Sequence, residues 1–295
     1  PFLDEGIAAL RRVPNAETRL IQPLANRAVS LTDVRRLADA ERDLREALEI
    51  ARAKLGEDHV DTFHIRSRLS NFLSYDGRFA DAVVVIDGLV DRVVKALGRD
   101  ERYHLPIIAN NAAIISRAFG DLDRAATQNN LALELWSRHD PNTRNHAIAL
   151  REKANQLSVT GPPALALALY EESITIDRTA RGQPFIGTLY EYARQQLRNG
   201  NASAARSALA EVDLQLPRLS PVWRLGKPLI EAEFMLAEGK ADAAFEQFRN
   251  ILEKDRQANP PLLAPPTVLN ARIEMGAAGC RTSGHIGEGT AALVQ

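Results

Sequence analysis

The chain has 295 residues, of which 45% are hydrophobic and 25% charged, the composition of a folded protein rather than a disordered one. Its 37 basic residues are balanced by 38 acidic ones, so it lacks the basic excess typical of a general nucleic-acid binder, and DNA or RNA is disfavoured as a partner. The single cysteine, Cys280, excludes intrachain disulfides and multi-thiolate metal sites, and no segment has the roughly 18 consecutive apolar residues of a membrane span.

Residues 1–16 form an N-terminal segment, after which an internal repeat begins at residue 17. The segment 34–40 aligns without a gap on 76–82, and the turn that each contains recurs at intervals of 42, 43, 41, 39 and 39 residues. Six such turns are found, at Arg35, Gly77, Gly120, Gly161, Gly200 and Gly239. A period of this length predicts an array of two-helix repeats over residues 17–264.

Two columns of small residues accompany each turn. The position five residues after it is always alanine, at Ala40, Ala82, Ala125, Ala166, Ala205 and Ala244. The position seven residues before it is always small, at Ala28, Ser70, Ala113, Ala154, Ala193 and Ala232. Because two helices approach closely only where side chains are small, these columns predict the crossing point of an antiparallel helical hairpin.

A third column, four residues beyond the alanine, is mostly large and apolar and is predicted to pack against the next hairpin. It contains Leu44, Ile86, Asn129, Tyr170, Leu209 and Phe248. About 21 residues past each turn, glycine or proline is predicted to end the second helix. These residues are Gly56, Gly98, Pro141, the segment 182–184, Pro217 and Pro260.

Residues 265–295 are predicted to form a truncated seventh hairpin or C-terminal cap. Its turn falls at 283–285, which places Ala277 in the first small column, Gly289 at the alanine position and Leu293 at the apolar position. The chain begins at Pro1 without an initiator methionine, and we expect it to be a piece of a longer polypeptide.

The small columns resemble those of tetratricopeptide repeats, and the period near 42 together with the segment 55–62 is similar to the kinesin-light-chain variety. The resemblance covers residues 17–295 and implies an all-α fold, a right-handed α-solenoid of antiparallel helical hairpins. Similar repeats occur in bacterial signalling proteins, among them the C-terminal regions of serine/threonine kinases, transcriptional regulators and adenylate cyclases. The motif implies hairpin packing and leaves the ligand unspecified.

In such an array the first helices line the concave face, which is the usual ligand surface. The side chains predicted to line this face form a polar, basic strip. Arginine pairs with carboxylates and asparagine amides can hold a peptide backbone, so this strip predicts an acidic or C-terminal-carboxylate peptide as ligand. The predicted peptide-binding residues are Arg68, Asn71, Asn110, Arg117, Arg151, Asn155, Tyr190 and Arg194, with His64 beside them.

An alternative is that this strip is only a solvated polar face, with Glu152, Glu191 and Glu233 close enough to neutralise its arginines. The carboxylate clamp that some tetratricopeptide domains use for chaperone tails is a sharper test. Asn71 and Asn111 fall on its asparagine places, but Ser67, Ile148 and Glu152 occupy its basic places. We therefore predict that this clamp is absent.

No catalytic constellation is found, so the chain is predicted to have no enzymatic activity, no metal and no cofactor. The six histidines form no two-histidine pair at i, i+4 with a nearby glutamate. The segment 284–289 is glycine-rich, but it follows a predicted helix and lacks the lysine of a phosphate loop. Cys280 has no histidine partner that the sequence can place beside it.

Three functions stay open. The first is a protein-interaction or sensory region of a larger bacterial signalling protein, with a serine/threonine kinase as the parent. The second is a receptor domain for a signal peptide, as in quorum-sensing transcriptional regulators, and the third is a structural scaffold. A cytoplasmic location is expected, or a periplasmic one if a membrane span precedes Pro1.

Overall fold

The computed structural model describes residues 2–219, 221–258, 263, 265–282 and 284–294. Within these ranges the regular structure consists of helices, apart from turns and two short 3₁₀ segments at Glu17–Leu20 and Leu216–Arg218. The α-helices are α1 Phe2–Leu10, α2 Ile21–Asp33, α3 Leu37–Leu55, α4 Val60–Tyr75, α5 Phe79–Ile86, α6 Leu89–Leu97, α7 His104–Phe119, α8 Leu122–His139, α9 Arg144–Thr160, α10 Pro163–Arg181, α11 Ile186–Arg198, α12 Ala202–Gln215, α13 Pro221–Arg224, α14 Gly226–Ala237, α15 Ala241–Gln257, α16 Pro265–Gly279 and α17 Ile286–Val294. The all-α repeat fold expected from the sequence is confirmed.

Consecutive helices pack as hairpins, with α2 on α3, α4 on α5, α7 on α8, α11 on α12, α14 on α15 and α16 on α17. Most connections at the predicted turn positions are short and contain a residue with positive φ, such as Arg35 at 61° and Gly77 at 79°. A residue in this left-handed conformation reverses the chain at the end of a helix, which is why glycine recurs there. Gly161 is the exception among the six predicted turn positions, because Pro162 directly precedes α10.

All three predicted columns are buried. Each of the six column alanines from Ala40 to Ala244 is 0% exposed, and the small column from Ala28 to Ala232 is at most 1% exposed. Ser70 belongs to that small column, and its hydroxyl donates a hydrogen bond to the carbonyl of Ala82 at 2.5 Å, so a polar side chain is tolerated there. Asn129 is likewise buried, and its Nδ2 donates to the carbonyl of Ala149 at 3.0 Å.

The second helix of the second hairpin is broken in two, which the sequence analysis did not predict. Asp87 is extended at ψ 134°, and Gly88 lies in the left-handed region at φ 65°, so α5 ends at Ile86 and α6 begins at Leu89. Arg66 of α4 donates from Nε to the carbonyl of Val85 at 2.7 Å and from Nη2 to that of Asp87 at 2.8 Å. The guanidinium thus satisfies carbonyls that a continuous helix would have paired.

The chain divides into two compact units, Pro1–Gln156 and Leu157–Gln295. In the first unit, one apolar cluster runs from Ile7 of α1 to Leu135 of α8, and a smaller one joins Trp136 to Ala149 of α9. In the second unit, one cluster surrounds α11 and α12, and another surrounds α14, α15 and α16. Each unit therefore has a segmented core, as expected where each hairpin packs chiefly on its neighbours.

The two helices of the last hairpin approach each other closely. A Cβ on Gly289 would lie 2.8 Å from the backbone carbon of Gly279, so α16 and α17 cross where neither has a side chain. The predicted place of Gly289 is therefore consistent with the packing, but Ala277 is only half-buried while Ala278 is 0% exposed. The connection at 280–285 is longer than the three-residue turns, which shifts the register of the small column.

Three sequence expectations fall on residues outside this description: the turn residue Ser283, the helix stop Pro260 and the side chain of Leu293. The other predicted second-helix ends agree with the helix bounds to within a few residues, as at Gly56, Gly98 and Gly182. In the described ranges, none of the helices combines the length and the apolar character needed to cross a membrane.

Candidate functional site

The first helices of the first unit, α2, α4, α7 and α9, each carry a stripe of side chains that are at least partly exposed. The spacing of three or four residues along α4 and α7 follows from the helix period. We call this stripe the first-helix face. It is formed by Gln22, Asn26, Asp61, His64, Arg68, Asn71, His104, Ile107, Asn111, Ile114, Ile148, Arg151 and Asn155.

Polar side chains on this face join α2 to α4 and α4 to α7. Gln22 donates to Asp61 at 3.1 Å, and Arg68 donates to the Asn26 side-chain oxygen at 3.2 Å, so α2 is tied to α4. Asn111 of α7 donates to the hydroxyl of Ser67 of α4 at 2.9 Å. The hydrogen-bonding groups of neighbouring repeats therefore lie within reach of one another and of a ligand that crosses them.

The histidines His64 and His104 are in direct contact between α4 and α7. His64 Nε2 and His104 Nδ1 are 2.6 Å apart, and the rings meet edge to face with centroids 4.8 Å apart. Burial, together with the neighbouring His104 and Arg68, lowers the pKa of His64 to about 4. His64 is therefore neutral at neutral pH and shares a hydrogen bond with the other ring.

Arg117 is held by an acidic partner on the next first helix. It binds Glu152 of α9 bidentately, with Nε–Oε1 at 2.6 Å and Nη2–Oε2 at 3.2 Å. The Glu152 side chain is 2% exposed, and Asn155 donates to its Oε2 at 3.4 Å. The guanidinium of Arg117 and part of the hydrogen-bonding capacity of Asn155 are thus used within the protein.

In the second unit, the predicted binding residue Arg194 is held by two glutamates. Arg194 of α11 binds Glu233 of α14 through Nε and Nη2 at 2.8–2.9 Å and also binds Glu191 at 3.0 Å. Burial opposes the charge of Arg194, but the two glutamates outweigh it and raise the pKa of the guanidinium. Burial and the nearby Glu233 raise the pKa of Glu274 on α16.

Two of the predicted binding residues, Asn110 and Tyr190, are buried and do not line an open surface, contrary to the expectation from the sequence. Asn110 is 5% exposed, because the outward stripe of α7 passes through Asn111 one position later. Tyr190 is 6% exposed, its hydroxyl donates to the carbonyl of Trp223 at 2.9 Å, and burial raises its pKa to about 12. Both side chains belong to the packing of the repeats.

The other predicted residues are partly exposed. Arg68, Asn71, Arg151 and Asn155 lie on the first-helix face, while Arg117 and Arg194 stand in the ion pairs described above. Asn111 and the isoleucines of α7 and α9 were not in the predicted set. An amphipathic projection of α7 could have found Asn111, since the buried residues Ala109, Ala112 and Ala113 fix the opposite side.

The positions tested for a carboxylate clamp do not supply one. Ser67 is 1% exposed and Glu152 is occupied by Arg117, while Ile148 carries no charge. Among the described residues, no group of three or more histidine, cysteine, aspartate or glutamate side chains is arranged to hold a metal ion. Cys280 is exposed.

Short hairpins follow one another along the chain, their column alanines are buried, and their first helices contact each other. These features define a helical-repeat array. The family model of the tetratricopeptide repeat matches residues 24–61, which contain α2, α3 and the turn between them. Among curated proteins, no sequence matches the chain significantly.

Solved structures show the same fold. BtubC (BKLC) from P. vanneervenii has a TM-score of 0.57 and 18% identity over 72% of this chain and 87% of its own. Nearly identical TPR-like repeats assigned to a Podosopora anserina kinesin light chain have a TM-score of 0.53 and 17% identity over 67% of this chain and 95% of their own. The human IFIT1 dimer with m7Gppp-AAAA has a TM-score of 0.56 and 14% identity over 98% of this chain and 66% of its own.

The chain thus contains a tetratricopeptide repeat at residues 24–61, and its described residues have the fold of kinesin-light-chain-like repeat structures. Repeats of this type are protein-interaction modules, and the fold is generally not catalytic.

Proposed function

We propose that this protein is a non-catalytic peptide-binding module and that the first-helix face of the first unit is its binding surface. The single observation that supports this most strongly is the composition of that face. The partly exposed side chains of α4, α7 and α9 on this face include the cationic Arg68 and Arg151, the amides Asn71, Asn111 and Asn155, and the apolar Ile107, Ile114 and Ile148. A peptide offers carboxylates, backbone amides and apolar side chains to these three kinds of group.

The face favours an extended segment that carries acidic side chains. Among the described residues, the hydrogen bond of Arg68 goes to an uncharged amide, Asn26, so its guanidinium charge is not consumed by a carboxylate. An asparagine side chain can donate to a peptide carbonyl and accept from a peptide N–H, which holds a backbone independently of sequence. The arginine-containing surface of the second unit is less suited to an acidic ligand because Glu191 and Glu233 already pair with Arg194.

As biological context, we propose a regulatory or sensory region of a bacterial signalling protein such as a serine/threonine kinase, in the cytoplasm. A signal-peptide receptor of a transcriptional regulator and a passive scaffold are the alternatives. A receptor would bind one short peptide far more tightly than its scrambled form, whereas a scaffold would bind none of them.

The test uses fluorescent hexapeptides that contain two to four aspartates or glutamates, with their asparagine or glutamine counterparts as the uncharged set. Removing a charged hydrogen bond costs about 1.5–3 kcal/mol, so Arg68→Ala should raise Kd for an acidic peptide roughly tenfold or more. Arg45→Ala is the matched control, because Arg45 on α3 is paired with Glu41 and lies outside the first-helix face. Raising the salt concentration should weaken acidic peptides selectively.

Equal loss of affinity in the Arg68 and Arg45 variants would contradict the assignment of this face. The same assay with a capped RNA oligonucleotide covers the ligand class of the IFIT1 complex, which contains m7Gppp-AAAA. Binding of the RNA in preference to every peptide would overturn the proposed function.

A further inference from the structure

The His64–His104 contact is the one place on the first-helix face where two titratable rings share a hydrogen bond between repeats. The two nitrogens are 2.6 Å apart, and the Tyr103 ring stands perpendicular to His104 with centroids 5.0 Å apart. The contact lies next to Arg68 on α4, and therefore within the surface proposed to bind an acidic peptide.

Three charged groups act on the His64 ring. Asp61 and Arg68 lie on the same helix as His64, and Glu101 lies ahead of α7. Asp61 accepts a hydrogen bond from the uncharged Gln22 of α2. Glu101 accepts from the backbone amides of Tyr103 at 3.1 Å and Leu105 at 2.6 Å. No carboxylate among the described residues is hydrogen-bonded to either ring.

The number of protons on the two rings limits the positive charge that the pair can carry while the rings stay in contact. Two neutral imidazoles carry one N–H each, and one of these protons occupies the bond between the rings. A further proton can be added at an outer ring nitrogen, and the bond then becomes a charge-assisted one from an imidazolium to a neutral ring. A second added proton would put N–H against N–H and break the contact. The pair can therefore hold one positive charge without moving apart.

In the free protein, burial, the neighbouring His104 and Arg68 oppose a positive charge on the His64 ring and lower its pKa to about 4. An anionic group bound beside Arg68 would reverse the local balance, because it cancels the arginine charge and attracts an imidazolium. Ligand and proton would then stabilise each other's binding, as thermodynamic linkage requires.

We propose that the binding of an anionic peptide group to the first-helix face is coupled to the uptake of one proton by the His64–His104 pair. This inference rests on the proposed function and specifies how the same site is regulated. Affinity for an acidic ligand then rises by up to tenfold for each unit by which the pH falls below about 6.5, the ordinary pKa of histidine.

The experiment is calorimetric titration of the full chain with the acidic hexapeptide that binds best, at pH 7.0 and pH 5.5. Each titration is carried out in two buffers of different ionisation enthalpy, so that the number of protons taken up per peptide is measured. We expect uptake near zero at pH 7.0 and approaching one as the pH falls. His64→Gln and His104→Gln should each abolish the uptake, and His139→Gln, on α8 and away from the face, should keep it.

Binding without proton uptake at pH 5.5 would overturn this inference and leave the proposed function intact, whereas no peptide binding at either pH would overturn both. The ligand-free protein gives an independent check by nuclear magnetic resonance of the imidazole nitrogens. A titration midpoint near 6.5 for His64 in the free chain would also overturn the inference. Circular dichroism of each variant establishes that the substituted chain is folded.

Discussion

At two of the predicted binding positions the arginine is already ion-paired with glutamate. Arg117 and Glu152 form a bidentate pair in which the glutamate is 2% exposed, and Arg194 is shared by Glu191 and Glu233. Taking such a carboxylate out of water is costly unless the arginine remains beside it. These pairs therefore hold neighbouring first helices in register, and they explain why a row of arginines in the sequence overstates the positive charge available to a ligand.

Removal of the Arg117 guanidinium gives the first prediction. Arg117→Met leaves the Glu152 carboxylate buried with only weak amide partners, and we expect a loss of about 2–3 kcal/mol in the free energy of unfolding. Adding Glu152→Gln should recover part of that loss, because the remaining group is then neutral. Urea denaturation of the two single variants and the double variant completes the cycle, and additive losses would show that the pair does not act as a unit.

The pH dependence of stability gives the second prediction. The pKa of His64 is lowered to about 4 in the folded chain, against about 6.5 when unfolded, so between these values the unfolded state binds more protons. Stability therefore rises with pH from about 4 to 6.5 and is lost as the pH falls through this window. After allowance for solvent screening, we expect roughly 1–2 kcal/mol from this group. His64→Gln should flatten the dependence measured by urea unfolding at pH 4.5 and 7.0, and an unchanged slope would refute the assignment.

At the level of the helices, the break between α5 and α6 depends on one backbone conformation. Gly88 lies at φ 65°, and a Cβ there would meet no atom within 4 Å, so any cost of a side chain is conformational. Gly88→Ala should destabilise the protein by about 1 kcal/mol. Gly6→Ala is the matched control, because Gly6 is exposed in the middle of α1 and an added Cβ is equally unobstructed. It should stabilise by up to about 1 kcal/mol, and thermal unfolding would show the opposite signs.

The hairpins could be predicted from the sequence because their crossing points require small residues. All eighteen positions of the three predicted columns are buried, including the polar Ser70 and Asn129. The break at Asp87 was missed because glycine and aspartate inside an apolar run also occur in continuous helices, and Arg66, which satisfies the freed carbonyls, lies on another helix. Contacts of this kind are set by tertiary packing, which helix periodicity does not describe.

The candidate site was predicted less completely than the fold. One helical position turns a side chain by about 100°, so the choice of Asn110 instead of Asn111 exchanged a buried amide for an exposed one. Tyr190 is amphipathic, and nothing in the spacing indicates that its hydroxyl reaches the carbonyl of Trp223, 33 residues later. Neither error affects the choice of the first helices as the surface that carries the predicted polar strip.

At the scale of the whole molecule, the segmented core predicts that a core substitution destabilises only the cluster in which it lies. Phe245 is 0% exposed and packs in the cluster around α14, α15 and α16, where its ring stacks on His285 at 4.3 Å. Phe245→Ala should cost about 3–4 kcal/mol of local stability. Hydrogen exchange should accelerate in residues 241–257 and stay unchanged in residues 60–75, as expected for a repeat array.

Leu214→Ala provides the control for this experiment, since Leu214 is 82% exposed and its truncation removes little buried surface. It should leave exchange unchanged in both segments. Acceleration of exchange in residues 60–75 by the Phe245 variant would indicate that the chain unfolds as a single cooperative body instead.

The backbone repeats as well as the side chains. Gly56 follows α3 at φ 94° and ψ 166°, and Gly98 follows α6 at φ 93° and ψ 159°, 42 positions later. A second copy of residues 56–97 inserted after Leu97 would therefore meet, at each junction, a chain direction that the protein already adopts. Duplication of this 42-codon segment in a gene would lengthen the array by one hairpin without introducing a strained joint, and each copy would bring another first helix whose outward residues could diverge toward a new ligand.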